Sequence, residues 1–400
     1  MTLLPVEDAI AAILKRVPPP SGETVALEAA AGRVLLAPII AAHDQPPFDA
    51  SAMDGFAVRA GDVVVGQPLP IAGTSQAGAG FAGSLPSGQA VRIFTGAPVP
   101  AGADTVIMQE QAEVADGAVV FTAPARLGHS IRALSNDFAR GQRLVETGIR
   151  LSAMQLAVAA AANMAELTVA RRPRLALLAT GDELVLPGAT LKRDQIVASN
   201  SFGLRPLLAP YAEAMTDHGI ARDDRAELRR KLEACFAGEP DVLITTGGAS
   251  VGEHDIVQEI LLDLGVQLDF WRINMRPGKP LMFGTRGRTL IFGLPGNPVS
   301  AMVTAMVFIK PALRRFLGCP EPAVWHLPLA APTPLNSARR HFMRARLLHT
   351  PEGPMAMPIS QTDSGHTSSM AAADLLIMQP ENDPGQSAGT IVDTSFVDAF

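Results

Sequence analysis

Several short segments of this 400-residue chain group residue types that handle anions and metal ions. In DVLITTGGASVGEHD, Asp241 to Asp255, a glycine pair follows an apolar strand-like run. Lacking Cβ atoms, Gly247 and Gly248 let backbone amides come close to a ligand, and a helix beginning near Glu253 turns the positive end of its dipole toward the loop. Thr246, Gly247, Gly248, Ser250 and Gly252 are therefore candidates for binding a phosphate-bearing substrate, although a glycine pair after a buried strand also serves as a plain turn. In GDEL, Asp182 and Glu183 close the strand-like RLALLAT. Mg²⁺ is held by one or two carboxylates plus substrate oxygens, so these two acids with Asp255 form a candidate metal and catalytic set. A cap in the first turn of a helix accounts for Asp255 equally well.

WRINMRPGKP sets Arg272, Arg276 and Lys279 on one strand and turn, a local cationic cluster in an otherwise acidic chain. Solvated surface charge is the plainer reading of that cluster. LPGNPVS combines Pro295 and Gly296 with Asn297 as N-cap and Pro298 at the first helical position, good helix-start chemistry that by itself indicates structure. Asn200 and Ser201 end another strand and either cap the next helix or touch ligand. QPPFDASAMDGFAV packs Asp49, Ser51 and Asp54 into a rigid apolar loop, and IFTGAPVPAGAD has the same character. The eight histidines include no HExxH pair, and His254 beside acidic neighbours reads as exposed.

The elements that must position these residues follow from periodicity. A helical stripe from Val6 to Val17 stops at Pro18–Pro20. From Asp44 to about Asp137 the pattern becomes short alternating runs punctuated by turns, with a hairpin at Asp116-Gly117. Ser152 to Ala165 returns to helical composition, and the basic connector Arg171–Arg174 marks a boundary. Beyond it come strand RLALLAT, a helix near Ser201–Glu213, a helix over Asp224–Phe236, strand DVLITT and a helix over Glu253–Leu264. Strands LDFW, PLMFG and TLIFG and a helix over Pro298–Phe316 complete that region. Such alternation implies a mostly parallel sheet covered on both faces, with ligands outside the carboxyl ends of its strands. The last 80 or so residues read as a small β-domain.

Composition bounds the function. A net charge of −6 argues against a nucleic-acid surface. Cys235 and Cys319 are too few for a cysteine-built metal centre and suit a reducing cytosol. Acids precede the first cation, Lys15, unlike a secretion signal, and no apolar run reaches the ~18 residues of a membrane span. A soluble, cytoplasmic protein without membrane or nucleic-acid partners is expected.

Taken in order, QPPFDASAMDGFAV, IFTGAPVPAGADTVIMQE, LLATGDEL, SNSFGL, ITTGGASVGEHD, RPGKPLMFG and LPGNPVSA resemble the MoeA molybdopterin molybdenumtransferases, the family that includes the catalytic domain of gephyrin. The resemblance spans nearly the whole chain. It implies a multidomain α/β plus β fold: a discontinuous helical dimerisation domain (residues 1–43 and 139–171), a β-insert (44–138), a molybdopterin-binding α/β domain with a parallel-type sheet (172–319) and a C-terminal β-domain (320–400). The implied activity inserts molybdate into adenylylated molybdopterin, with Mg²⁺-dependent cleavage and AMP release. A homodimer is implied, with a molybdopterin adenylyltransferase and molybdoenzyme acceptors as partners. Carried over by motif, Asp182, Glu183 and Asp255 become metal or hydrolysis candidates, and Arg272, Arg276, Lys279 and Ser300 anion-site candidates. Asp54, Thr95, Arg132 and Asp137 match family cleft positions that would be supplied across the dimer. Arg272 and Arg276 stand where many members have Lys, exchanging a point cation for a planar fork. LSND, Leu134 to Asp137, replaces a more usual Gly-Glu-Asp ending. Two other readings compete: a molybdopterin adenylyltransferase, similar to the α/β domain alone, and a non-catalytic scaffold.

Overall fold

RLALLAT and VLITT carry side chains that tolerate burial at nearly every position, so a strand built from either must be covered on both faces. A computed structural model, which describes residues 3–248, 256–361 and 363–397, places both at the centre of a six-stranded sheet. In chain order the α/β region runs β1 (Arg174–Thr180), α1 (Asn200–Leu208), β2 (Ala214–Ala221), α2 (Arg225–Ala237), β3 (Val242–Thr246), α3 (Ile256–Asp263), β4 (Gln267–Arg272), β5 (Pro280–Arg286), β6 (Thr289–Leu294) and α4 (Pro298–Thr304). The spatial order is β2-β1-β3-β6-β5-β4. β2, β1, β3 and β6 are mutually parallel, whereas β5 and β4 run antiparallel, so the mostly parallel sheet carries an antiparallel edge.

The core explains the stacking. Ala176, Leu178, Leu243 and Ile291 on the sheet meet Leu228, Leu232 and Cys235 of α2 and Val257, Ile260 and Leu261 of α3. Each large aliphatic side chain buried this way is worth about 1.5–3 kcal/mol, which is what fixes amphipathic helices to the sheet. Side chains alternating with these point to the other face, where α1 packs against α4. Asp224 caps α2, its Oδ1 accepting from the amides of Ala226 (3.1 Å) and Glu227 (2.8 Å). α4 continues through a π-turn, Ala305–Ile309, into a helix over Lys310–Phe316. Pro311 sits there and has no N–H to complete a regular α-turn.

The expected helix to Glu213 is shorter. It ends at Leu208, a 3₁₀ turn holding Pro210 follows, and residues 214–221 form the edge strand β2, absent from the sequence reading.

The chain divides into two compact units, Met1–Glu23 with Ala170–Phe400, and Thr24–Val169. Within the first, Met275–Arg276 leaves the α/β sheet and pairs in parallel with Arg340–His341 of the C-terminal sheet, which also holds strands Leu375–Gln379, Ile391–Phe396 and Trp325–Pro328. The N-terminal helix Val6–Arg16 belongs here. Leu4 exchanges backbone hydrogen bonds with Arg272 and Asn274, and Glu7 meets Arg340 at 2.8 Å. The second unit holds a six-stranded sheet cored by Phe56, Val58, Ile107, Val119 and Phe121, plus a separate cluster around Leu35, Ile39, Phe138 and Leu151. Its hairpin forms as expected, with Asp116 at φ 51° and Gly117 at φ 77°. Its helix, Ala153–Ala161, opens on a capping box of Ser152 and Gln155. Among the described residues no helix is long and apolar enough to cross a membrane.

Replacing Asp224 by alanine removes both cap bonds of α2. The expected result is a loss of about 1 kcal/mol, seen as a lower urea midpoint with an unchanged m-value.

Candidate active site

The turns after β1, β3 and β6 meet at the carboxyl ends of these adjacent parallel strands. β2 lies on one side of β1 and β3 on the other, which is the topological switch point where open α/β sheets form a ligand crevice. A cleft of about 510 Å³ opens there. Thr180, Gly181 and Glu183 line it after β1, Thr246, Gly247 and Gly248 after β3, and Pro295, Gly296, Asn297 and Pro298 after β6.

Glycine is required at the centre of this arrangement. Gly247 has φ 86°, and a Cβ there would lie 2.3 Å from the Thr180 carbonyl oxygen. Gly248 has φ 64° and faces the Val257 side chain of α3 as closely. The turn after β3 thus rests directly on the end of β1. Gly296 packs on it in turn, and the Gly296 carbonyl accepts from Asn200 Nδ2 at 2.8 Å. Asn200 therefore does not cap α1; it ties the start of α1 to the Pro295–Pro298 turn, leaving its own Oδ1 buried without a donor. Leu184, Ile196 and Val197 form an apolar rim, held by a two-residue parallel pairing of Leu184–Val185 with Ile196–Val197.

Three carboxylates gather on the acidic side. Asp182 Oδ1 accepts from the Asp223 amide at 3.1 Å, and Arg222 donates to the Asp182 carbonyl. Asp223 lines the cleft beside Glu183. Burial first, then the neighbouring charges of Asp182 and Glu183, push the Asp223 carboxyl above the usual carboxylate range. That mutual repulsion marks a place where a hard cation with oxygen ligands would be favoured. Among the described residues no group of three or more His, Cys, Asp or Glu side chains is close enough to hold a metal ion alone. Ser250, Gly252, His254 and Asp255 lie outside the described residues. Asp223 was absent from the sequence reading, although the Asp223-Asp224 pair at the end of an unrecognised strand was its signal.

The cationic candidates sit elsewhere. Arg272, Arg276, Lys279 and Ser300 do not line this cleft, though Lys279 precedes Pro280, which does. Arg276 turns toward the C-terminal sheet, with Nη2 3.1 Å from His341 Nδ1 and its buried Nε unpaired. Burial, chiefly, with the Arg276 charge next, depresses the His341 imidazole to about 4. Ser300 is buried, and its carbonyl accepts from the Thr304 hydroxyl at 2.6 Å. Asn297 heads α4 but makes no cap bond; its Nδ2 donates to Ser364 Oγ of the C-terminal domain at 3.0 Å. Arg344 holds that same segment through the carbonyls of Gln361 and Asp363 and reaches Ser369 Oγ at 2.6 Å.

In the second unit, Asp54 and Thr95 are brought together. Asp54 Oδ1 accepts from both the amide and the hydroxyl of Thr95 at 2.8 Å, bonds that lower its carboxyl pKa. Arg132 pairs with Ala50 in a short ladder, and the Asp137 amide donates to the Gln45 carbonyl at 2.9 Å. Asp49 accepts from the Leu134 amide, and Asp44 from Ser135 and Arg140. The three polar loops of this unit thus form one cluster in which the side chains of Arg132 and Asp137 are exposed.

An α/β sheet with a switch-point cleft, joined to β-domains of this pattern, defines a MoeA-type multidomain protein. Three family descriptions match in order: the MoeA N-terminal region (domain I and II) over residues 4–163, the probable molybdopterin binding domain over 176–315, and the MoeA C-terminal region (domain IV) over 326–396. A molybdopterin molybdenumtransferase of Haemophilus influenzae is 38% identical over 79% of this chain and 78% of its own length. Molybdopterin molybdenumtransferase 2 of Mycobacterium tuberculosis is 35% identical over 92% and 93%. Among solved structures, a molybdopterin biosynthesis MoeA protein of Pyrococcus horikoshii aligns over 100% of both chains with a TM-score of 0.84 and 30% identity. The chain belongs to the MoeA family of molybdopterin molybdenumtransferases, and is an enzyme of the transferase class.

Two measurements follow. Gly247→Ala should displace the turn from Thr180 and cost roughly 1–3 kcal/mol of stability, because it forces a Cβ into a left-handed, close-packed position; a lower urea midpoint reads it. His341 has a folded pKa below its ordinary 6.5, so the stability it contributes is complete above pH 6.5 and is lost as the pH falls through about 4. Unfolding free energies measured across that window should decline for the wild type and decline less for His341→Gln.

Proposed function

We propose that the cleft binds adenylylated molybdopterin, and that the chain inserts molybdate into it with cleavage of the phosphoanhydride and release of AMP. One observation carries this reading: the carboxylates Glu183 and Asp223 line the same cleft as the Gly247–Gly248 turn, and Asp182 adjoins them through its bond from the Asp223 amide. A phosphoanhydride needs an anion cradle and charge neutralisation at one place. Asp182 and Glu183, with Asp255, are the proposed ligands of a divalent cation such as Mg²⁺, which when bound would neutralise phosphoryl oxygens; Asp223 joins them from the structure. Thr246, Gly247, Gly248, Ser250 and Gly252, with Pro295, Gly296, Asn297 and Pro298, form the proposed substrate-binding walls. Arg272, Arg276, Lys279 and Ser300 supply an oxyanion site next to it.

Asp54, Thr95, Arg132 and Asp137 complete the site from the partner subunit of a homodimer. The division into four domains given above accompanies that reading, as do a cytoplasmic location and exchange with an adenylyltransferase and with molybdoenzymes. The matches to N- and C-terminal MoeA regions support the transferase over an adenylyltransferase built from the α/β domain alone.

An anaerobic assay with adenylylated molybdopterin, Mg²⁺ and molybdate, following AMP, tests the reaction. Asp182→Ala should lower turnover roughly 100-fold with an unchanged melting temperature; a wild-type rate in that variant sinks the metal assignment. A scaffold would bind the pterin and release no AMP. Sedimentation should give a dimer at assay concentration, and an active monomer refutes the shared site.

A further inference from the structure

Arg276 and His341 stand opposite each other in the short parallel ladder of Met275–Arg276 with Arg340–His341. The imidazole is 4% exposed, and its Nδ1 lies within reach of two groups with opposite needs. Arg276 Nη2, always a donor, is 3.1 Å away, and Gln379 Oε1, always an acceptor, is 3.3 Å away. Turning the Gln379 amide round does not resolve the conflict, because its Nε2 donates to the Pro334 carbonyl at 2.7 Å and to Asp383 Oδ1 at 3.2 Å. One ring nitrogen carries either a lone pair or a hydrogen. A bare Nδ1 accepts from Arg276 and leaves Gln379 Oε1 without a donor. An Nδ1–H donates to Gln379 and releases Arg276.

The choice lies between two neutral tautomers. The charged groups facing the ring are Arg276, Arg344 and Arg339, with Asp363 near Arg344 and Asp383 bonded to Gln379. Burial first, and then the Arg276 charge, keep the imidazole from taking a second proton near neutral pH. While Arg276 is held, two buried atoms go unsatisfied, Gln379 Oε1 and Arg276 Nε. Each such atom costs free energy. An anion on the guanidinium would relieve both, since charge-assisted bonds outcompete a bond to a neutral ring.

We propose that His341 is a positioning residue for Arg276 and works as a two-state latch. With no anion, the bare Nδ1 holds the guanidinium. When an oxyanion takes the guanidinium donors, Nε included, the ring gives its Nε2 proton to water and takes one from water on Nδ1, which then donates to Gln379. No net charge is gained. The latch rests on the oxyanion site proposed above, to which it adds the residue that holds and releases the cation.

The test is nitrogen NMR of the full chain carrying isotope-labelled histidines, with the His341 signal identified by its loss in His341→Gln. Nδ1 of the wild type should resonate as an unprotonated nitrogen. It should become protonated in Arg276→Ala and in wild type saturated with molybdate. An Nδ1 that is protonated before titration, or unmoved in Arg276→Ala, overturns the hold on Arg276. An Nδ1 unmoved in a chain that calorimetry shows to bind molybdate overturns the latch. Affinities give a second reading. Glutamine at position 341 offers an acceptor and a donor together, so Arg276 stays held with Gln379 satisfied. His341→Gln should therefore bind molybdate roughly fivefold more weakly than wild type, whereas His341→Leu, which offers no acceptor, should bind it no more weakly. Equal losses in both variants, as a purely structural histidine would give, also overturn the latch. Wild type that binds no molybdate defeats the oxyanion site itself, while the Arg276→Ala spectrum still decides whether His341 holds that residue.

Discussion

The site depends on a backbone contact that only glycine permits. Gly247 sits in the left-handed region against the Thr180 carbonyl, at a distance that excludes any Cβ. Through this contact the end of β3 closes on the end of β1, and Gly296 then closes on Gly247 from β6. Side chains long enough to cross a wider gap would bring entropy and mobility with them. Backbone packing instead sets three turns in fixed relation, and Asn200 adds the start of α1 through one hydrogen bond. The buried strands below, with their aliphatic cover on both faces, resist any shift that would open the turns.

That scaffold fixes the electrostatics. Asp182 and Glu183 leave β1 in consecutive positions, and Asp223 arrives from the end of the neighbouring β2 with its amide on Asp182. The result is a carboxylate group under mutual repulsion beside a glycine turn. Carboxylates beside a glycine turn in one cleft are the arrangement that the proposed entry of a cation together with a phosphate-bearing ligand requires. The Arg276 guanidinium faces His341 in the C-terminal sheet instead, so the cationic strand serves the junction of two domains as well as any ligand.

Much of this was legible in the sequence, because glycine pairs, PGNP and strand-end acids are local signals tied to backbone geometry. The central strands were legible for the same reason: unbroken apolar runs have few alternatives. Strand β2 was not, since AMTDHGIA lacks alternation, contains Gly219 at φ 74° and lies at a sheet edge where pairing to β1 shifts register. With β2 unseen, Asp223 had no place in the site. Two-residue pairings such as Leu184–Val185 with Ile196–Val197 are too short for any periodicity. Asn297 shows a further limit. Its type and spacing fit an N-cap, but the amide is taken by Ser364, whose proximity is a property of the tertiary fold.

The central claim is that substrate enters at the carboxyl ends of β1, β3 and β6. Hydrogen–deuterium exchange of the full chain with and without AMP and Mg²⁺ tests it most directly. Slower exchange should appear in peptides covering residues 179–201, 242–248 and 294–298, the segments that line the cleft. Protection confined to the C-terminal strands, with those segments unchanged under saturating AMP, would contradict the account.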